Sequence, residues 1–216
     1  MKLTLLIVSG VIGVLALLVL LSRWMDRRET KAMAEYATTR GWTCLGVNHS
    51  ELLAHLKPAF PNEHWWVKHI SAPRSTANDV FLFAYNMRIL NARDNGTRGY
   101  ACLATHAGQG VEPPVFATRR VPLVEKLVDD RVRVGGEEFQ RECTVTCSDP
   151  EVAARVIHPQ VEHLLLEHFK VREWVLDARF FGNTVVVMSF WAQSPEEWDY
   201  IVDLTRKLAD AVERRR

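Results

Sequence analysis

REWVLDARFFGNTVVVMSFWAQSPEEWDYIVDLTRKLADAV, residues 172 to 212, changes its hydrophobic period once, and that change decides the fold class. REWVLDA and TVVVMSFW are short runs rich in β-branched and aromatic residues on either side of Gly182-Asn183, a pair suited to a tight turn, so a hairpin is predicted. Ser194-Pro195-Glu196-Glu197 then places serine at a helix cap and glutamate at the third helical position, a capping box. From there Trp198, Ile201, Thr205, Leu208 and Val212 fall on one side of a helix. Arg214, Arg215 and Arg216 close it with cations, which suit the negative end of a helix. A strand pair followed by a one-sided helix predicts an α+β domain, an antiparallel sheet covered by helices.

Just upstream, CTVTCSDPEVAARVIH (143 to 158) extends the pattern. Glu142 to Cys147 alternates like a strand, and Ser148-Asp149-Pro150-Glu151 predicts a second capped helix with Ser148 at the cap. Pro159 should end that helix and open another, with Val161, Leu164, Leu165 and Phe169 apolar and Glu162, His163 and Glu167 on the wet side. The cysteines and histidines here have the chemistry of metal ligands but not the spacing. In a strand, Cys143 and Cys147 share a face about 13 Å apart, too far for one ion or a disulfide. His158, His163 and His168 recur at intervals of five, each turned about 140° from the last on a helix. Thiols are therefore expected in the core and histidines in solvent, with no metal site and no cofactor.

In the middle of the chain WVKHI (66 to 70), DVFLFAYNMRI (79 to 89) and RGYACLATH (98 to 106) read as strands, the last two forming a hairpin over Asn91 to Gly96. Glu112 to Ala117 is expected as an edge or irregular segment, because Pro113 and Pro114 lack the amide that a central strand donates. VPLVEKLVDD (121 to 130) reads as a short helix, and Asn48 to Leu53 as a capped one stopped by Pro58.

The N-terminus is of a different kind. LTLLIVSGVIGVLALLVLL (3 to 21) carries no charge and, at about 1.5 Å per residue, just crosses a hydrocarbon layer of about 30 Å. A transmembrane helix over 1–22 is expected. The alternative is a cleaved signal, but LLSRWMD offers no small-x-small site. Arg23, Arg27, Arg28 and Lys31 follow the span, against Lys2 before it, a bias that puts the following domain on the cytoplasmic side of the plasma membrane. The same four residues would meet lipid headgroups. Ser9 and Gly13 have the small-x-x-x-small spacing through which two spans can approach as a homodimer. Residues 23–41 predict a juxtamembrane helical stalk ending at Gly41, with Met33, Tyr36 and Ala37 resting on a domain formed by 42–216.

Composition narrows function by exclusion. Twenty-seven basic against 26 acidic side chains, with 48% apolar residues, excludes a disordered chain and a globally basic nucleic-acid binder. The four cysteines are scattered, unlike a disulfide framework. Phosphate-loop, dinucleotide, metalloprotease and nucleophile-elbow motifs are absent. The glycines of HAGQG (106 to 110) and of VGGEE lead to no helix start that would cradle a phosphate.

The order of elements resembles an uncharacterised family of single-pass membrane proteins common in actinobacteria. The resemblance rests on the N-terminal span, the stalk ending from Ala34 to Trp42, the strand hairpin, and EEFQRECTVTCSDPEVAARVIHPQVEHLLLE, in which Phe139, Asp149, Pro150, Pro159 and Leu164 to Leu166 fit the family pattern. It implies packing motifs and no catalytic residues. The leading expectation is a membrane-anchored, non-enzymatic interaction or scaffold domain with membrane lipids and a membrane-proximal protein as partners. The alternatives are a module for a lipid or other apolar ligand, lined by Phe81, Phe83, Tyr85, Tyr100, Trp174 and Trp191, and a hydrolase with an unfamiliar site.

Overall fold

Val80 to Tyr85 and Thr184 to Ser189 are two six-residue runs with every member buried. Successive strand residues point to opposite faces, so such runs need cover on both sides of a sheet. The structure, a computed structural model, describes residues 2–47, 49–57, 63–73, 80–89, 97–120, 130–171, 176–189 and 194–214. Among them, β1 (Trp42–Gly46), β2 (Glu63–Pro73), β3 (Val80–Ile89), β4 (Thr97–Thr105), β5 (Val111–Arg119), β6 (Arg131–Val132), β7 (Cys143–Thr146), β8 (Leu176–Gly182) and β9 (Thr184–Ser189) form one antiparallel sheet in the order β1-β2-β3-β4-β9-β8-β5-β7-β6. Six helices accompany it: α1 (Lys2–Thr39), α2 (Ser50–Leu56), α3 (Glu137–Glu142), α4 (Pro150–Val156), α5 (Pro159–Val171) and α6 (Pro195–Glu213). The expected α+β class, an antiparallel sheet with helices on it, is the observed one.

The two faces carry separate cores. Leu82, Ala84, Tyr100, Cys102, Val185 and Val187 pack beneath the C-terminal part of α1 and beneath α3 to α6. Phe81, Phe83, Tyr85, Leu103, Val186 and Met188 face the other way, against Leu52 and Leu56 of α2. Helix α6 lies across β4 and β9 and buries Trp198, Ile201, Thr205 and Leu208, the stripe its sequence predicts. Its capping box is present in both directions: Glu197 N–H donates to Ser194 Oγ at 3.3 Å, and Ser194 N–H to Glu197 Oε2 at 2.9 Å. The β8–β9 hairpin turns at Gly182-Asn183 with Gly182 at φ 48°, a conformation that glycine adopts without steric cost.

Several expectations are corrected. Of the two expectations for residues 112–117, the edge is corrected and the irregular segment is found: β5 lies between β8 and β7. The register with β8 jumps between Val111 and Val115, so Pro113 and Pro114 fall in the irregularity, where no ladder amide is required. The cap of α4 is Asp149 rather than Ser148, its Oδ1 accepting from the amides of Glu151 (2.8 Å) and Val152 (3.3 Å). Helix α2 forms where expected, but with His49 at its cap and no capping side chain. Helix α3, six residues around the buried Phe139, was not expected. The short helix predicted over 121–130 lies outside the described residues except for Asp130.

Helix α1 is continuous from Lys2 to Thr39, and Gly41 beyond it has φ 68°. Met33, Tyr36 and Ala37 are buried in the body, as their spacing requires. Toward the N-terminus the picture reverses. Val14, Leu17 to Leu21 and Trp24 are 47% to 63% exposed. Among the described residues no helix is long and apolar enough to cross a membrane.

Candidate functional site

Helix α1 is fastened to α6 by a compact polar and aromatic clasp. Arg40 reaches Asp199 with both Nε and Nη2, the first at 2.6 Å to Oδ1, and Tyr36 donates its hydroxyl to the same Oδ1 at 2.9 Å. The Arg40 guanidinium lies 4.0 Å from the centre of the Tyr36 ring, a cation–π contact. Tyr36 meets the rings of Trp42 and Trp198 edge-on, at 5.8 and 5.3 Å. The hydrogen bond from Arg40 holds the Asp199 carboxyl below its ordinary range, while burial, with the Asp199 bond added, pushes the Tyr36 phenol up. About two turns earlier, Tyr100 donates to Glu29 at 2.6 Å. Helix α1 is therefore docked from Glu29 onward and undocked over Val14 to Trp24. Arg23, Arg27, Arg28 and Lys31, expected at a membrane surface, are all exposed at the border between these parts. Arg28 lies over the Trp24 ring at 5.6 Å, and Lys31 pairs with Glu35 at 3.6 Å.

Of the residues suggested as an apolar ligand lining, the four described do not all share one space. Phe81, Phe83 and Tyr85 belong to the core beside α2, whereas Tyr100 opposes Ala84 in the sheet and points to the face that carries α1 and α6. Each is 9% exposed or less, so they fill cores. Trp174 and Trp191 lie outside the described residues.

Cys102, Cys143 and Cys147 are buried thiols and Cys44 is exposed. Burial pushes the Cys102 thiol up to about 12 and raises Cys143 as well. Neither is suited to act as a nucleophile. His163 is exposed, as expected, and pairs with Glu167. His168 is not in solvent. It is fully buried, with Nδ1 2.9 Å from the Tyr200 hydroxyl and its ring stacked on Tyr200. His158 Nε2 lies 3.1 Å from the Ala211 carbonyl. Neither of these contacts supplies the nucleophile that a hydrolase would need.

The sequence reading set aside HAGQG, and the structure builds a cleft there. The loop leaves β4 at His106, whose amide donates to the Asn183 carbonyl at 2.9 Å, and enters β5 at Val111. With Arg155 and Val156 at the end of α4, and Val212 and Glu213 at the end of α6, residues 107–111 enclose a cleft of about 530 Å³. Gly108 is where the loop comes closest to its neighbours. A Cβ there would sit 3.2 Å from the Glu213 Cα and 3.1 Å from Nδ1 of His106. His106 is 3% exposed, and among the described residues neither ring nitrogen has a hydrogen-bond partner. Burial lowers its pKa, against the pull of Glu213, so the ring is neutral at neutral pH. The available signal was a histidine followed by two glycines between two strands. Its partners, Arg155 and Glu213, lie too far along the chain for a local pattern to reveal them.

Sheet order and helix placement define an α+β module with one long helix projecting from it. No protein-family model and no curated protein matches the sequence. Among solved structures the chain is similar to the mycobacterial trehalose monomycolate transport factor A, TtfA, with a TM-score of 0.59 and 14% identity over 88% of this chain and 96% of that one. The likeness is one of fold.

Proposed function

We propose that this chain is a membrane-tethered, non-enzymatic accessory module of a lipid-transport assembly. In this reading residues 3–21 are the bilayer span, 23–41 the stalk, and 42–216 a body on the cytoplasmic side of the plasma membrane, as the basic flank from Arg23 to Lys31 favours. The observation that carries the proposal is the division of α1, with apolar side chains exposed from Val14 to Leu21 and Trp24, on the same helix whose other end is buried at Met33, Tyr36 and Ala37. A helix that exposes such a stripe needs an apolar neighbour. Eight residues separate Leu21 from the first docking contact at Glu29, about 12 Å of helix, which would hold the body close to headgroups. The shared fold with a transport factor named for trehalose monomycolate, a lipid-bearing sugar, supports the transport theme. The resemblance to single-pass actinobacterial proteins is in keeping with it. At Gly13, where an added Cβ would meet nothing within 4 Å, a second α1 could approach.

The test is affinity capture of the full chain, expressed at its native level and solubilised in mild detergent, alongside a chain lacking residues 2–22. The proposal expects integral membrane proteins to co-purify reproducibly with the full chain and to be lost with the truncation, and lipid export to fall severalfold on depletion. Recovery of the full chain alone, with export unchanged, would refute it.

A further inference from the structure

We propose that the cleft between the 106–110 loop, α4 and the last turn of α6 binds a small neutral molecule rich in hydroxyl groups, a saccharide or the sugar headgroup of a lipid, with His106 as a contact. The proposal stands whether or not α1 enters a bilayer.

The site is built rather than incidental. A buried imidazole with both nitrogens unpartnered among the described residues is costly, since it has given up its hydrogen bonds to water without replacing them. Nδ1 of this ring lies directly behind Gly108, a residue of the cleft wall: a Cβ there would sit 3.1 Å from it, so the glycine backbone is all that stands between the ring and the cleft. A neutral imidazole offers one donor and one acceptor, and a hydroxyl group can satisfy either. Gln109 adds an amide with both capacities, and Glu213 adds an acceptor. The C-terminal end of α6 contributes carbonyls without helical partners and the negative end of the helix dipole, which disfavours an anion. Arg155 disfavours a cation. Val111, Val156 and Val212 supply apolar wall for the carbon faces of a ring. At about 530 Å³ the cleft is within the size range of small-molecule sites.

The experiment uses the full chain in nanodiscs, with calorimetry and the ring resonances of His106 as readouts. Maltose is titrated in solution, and in a second arm digalactosyl diacylglycerol is included in the bilayer. Inorganic phosphate serves as an anionic probe and glutamine as a zwitterionic one. The expected result is saturable heat and a shift of the His106 signals with maltose, at a Kd of about 1 mM or tighter, or with the glycolipid alone if the headgroup is the natural source. Gly108→Ala, whose methyl would press on Nδ1 at 3.1 Å and on the Glu213 backbone at 3.2 Å, should weaken binding about tenfold or more. If that variant fails to fold, His106→Phe carries the test: it should bind about tenfold or more weakly while melting higher than the parent, because an unpaired polar ring is replaced by an apolar one. No response to either sugar source, a response to glutamine or phosphate instead, or unchanged binding by His106→Phe would overturn the proposal.

Discussion

The two ends of α6 are built to opposite standards. At its N-terminal end Ser194 and Glu197 satisfy each other's amides, Trp198 is buried among Tyr36 and Tyr100, and Asp199 takes up Arg40 and Tyr36. At its C-terminal end Val212 and Glu213 border a cleft, and the nearby His106 has both ring nitrogens unpaired among the described residues. The first end is where α1 is held, and its polar groups answer one another. Beside the second, the imidazole of His106 has no such answer among the described residues. Unmet polarity of this kind indicates a ligand site better than apolar burial does, as the dispersal of the predicted aromatic lining between two closed cores illustrates.

Truncating the best-packed residue should break the comparison most forcefully. Trp198→Ala should cost about 3–5 kcal/mol in denaturant unfolding, the range for deleting a buried aromatic side chain, and should loosen α1 as well. At the other end the sign reverses: His106→Phe should gain about 1 kcal/mol, read in the same titration. Ser194→Ala should cost about 1 kcal/mol through loss of the cap. Asp199→Asn should cost at most about 1 kcal/mol, because both partners of the ion pair are partly exposed and screened by solvent.

The pH dependences sharpen the same contrast. The Asp199 carboxyl is depressed in the folded state, chiefly by the Arg40 hydrogen bond. Its contribution is present above the ordinary value of 3.8 and is lost as pH falls through the lower folded value. His106 is depressed by burial, so below 6.5 the unfolded chain takes up a proton that the folded one resists, and stability falls as pH drops through that window. Unfolding between pH 7 and 5 should therefore flatten in His106→Phe and stay unchanged in Asp199→Asn.

What could be read from the sequence was local. The Gly182-Asn183 turn, the Ser194 box, the Pro159 break and the stripe from Met33 to Ala37 are each carried within a few residues, and each is found. What could not be read depends on register and on distant partners. The place of β5 inside the sheet needs the irregular pairing with β8 that spares Pro113 and Pro114. The opposite facing of Tyr100 from Phe81, Phe83 and Tyr85 follows from the pairing of Ala84 with Tyr100, which no single strand encodes. His168 was placed by its distance from other histidines, whereas its position between Leu165 and Phe169 puts it on the buried side. The cleft joins a loop to the ends of two helices much later in the chain, and only the fold brings them together.

The central proposal is that one helix serves two media, docked in the body from Glu29 and embedded in lipid before Arg23. Its most direct measurement is alkaline-carbonate extraction of native membranes carrying either the full chain or a chain lacking residues 2–22. The full chain should remain in the membrane pellet and the truncated one should move to the supernatant still folded, with the near-ultraviolet dichroism of its buried tryptophan intact. A full chain that is extracted as readily as the truncated one would contradict the account.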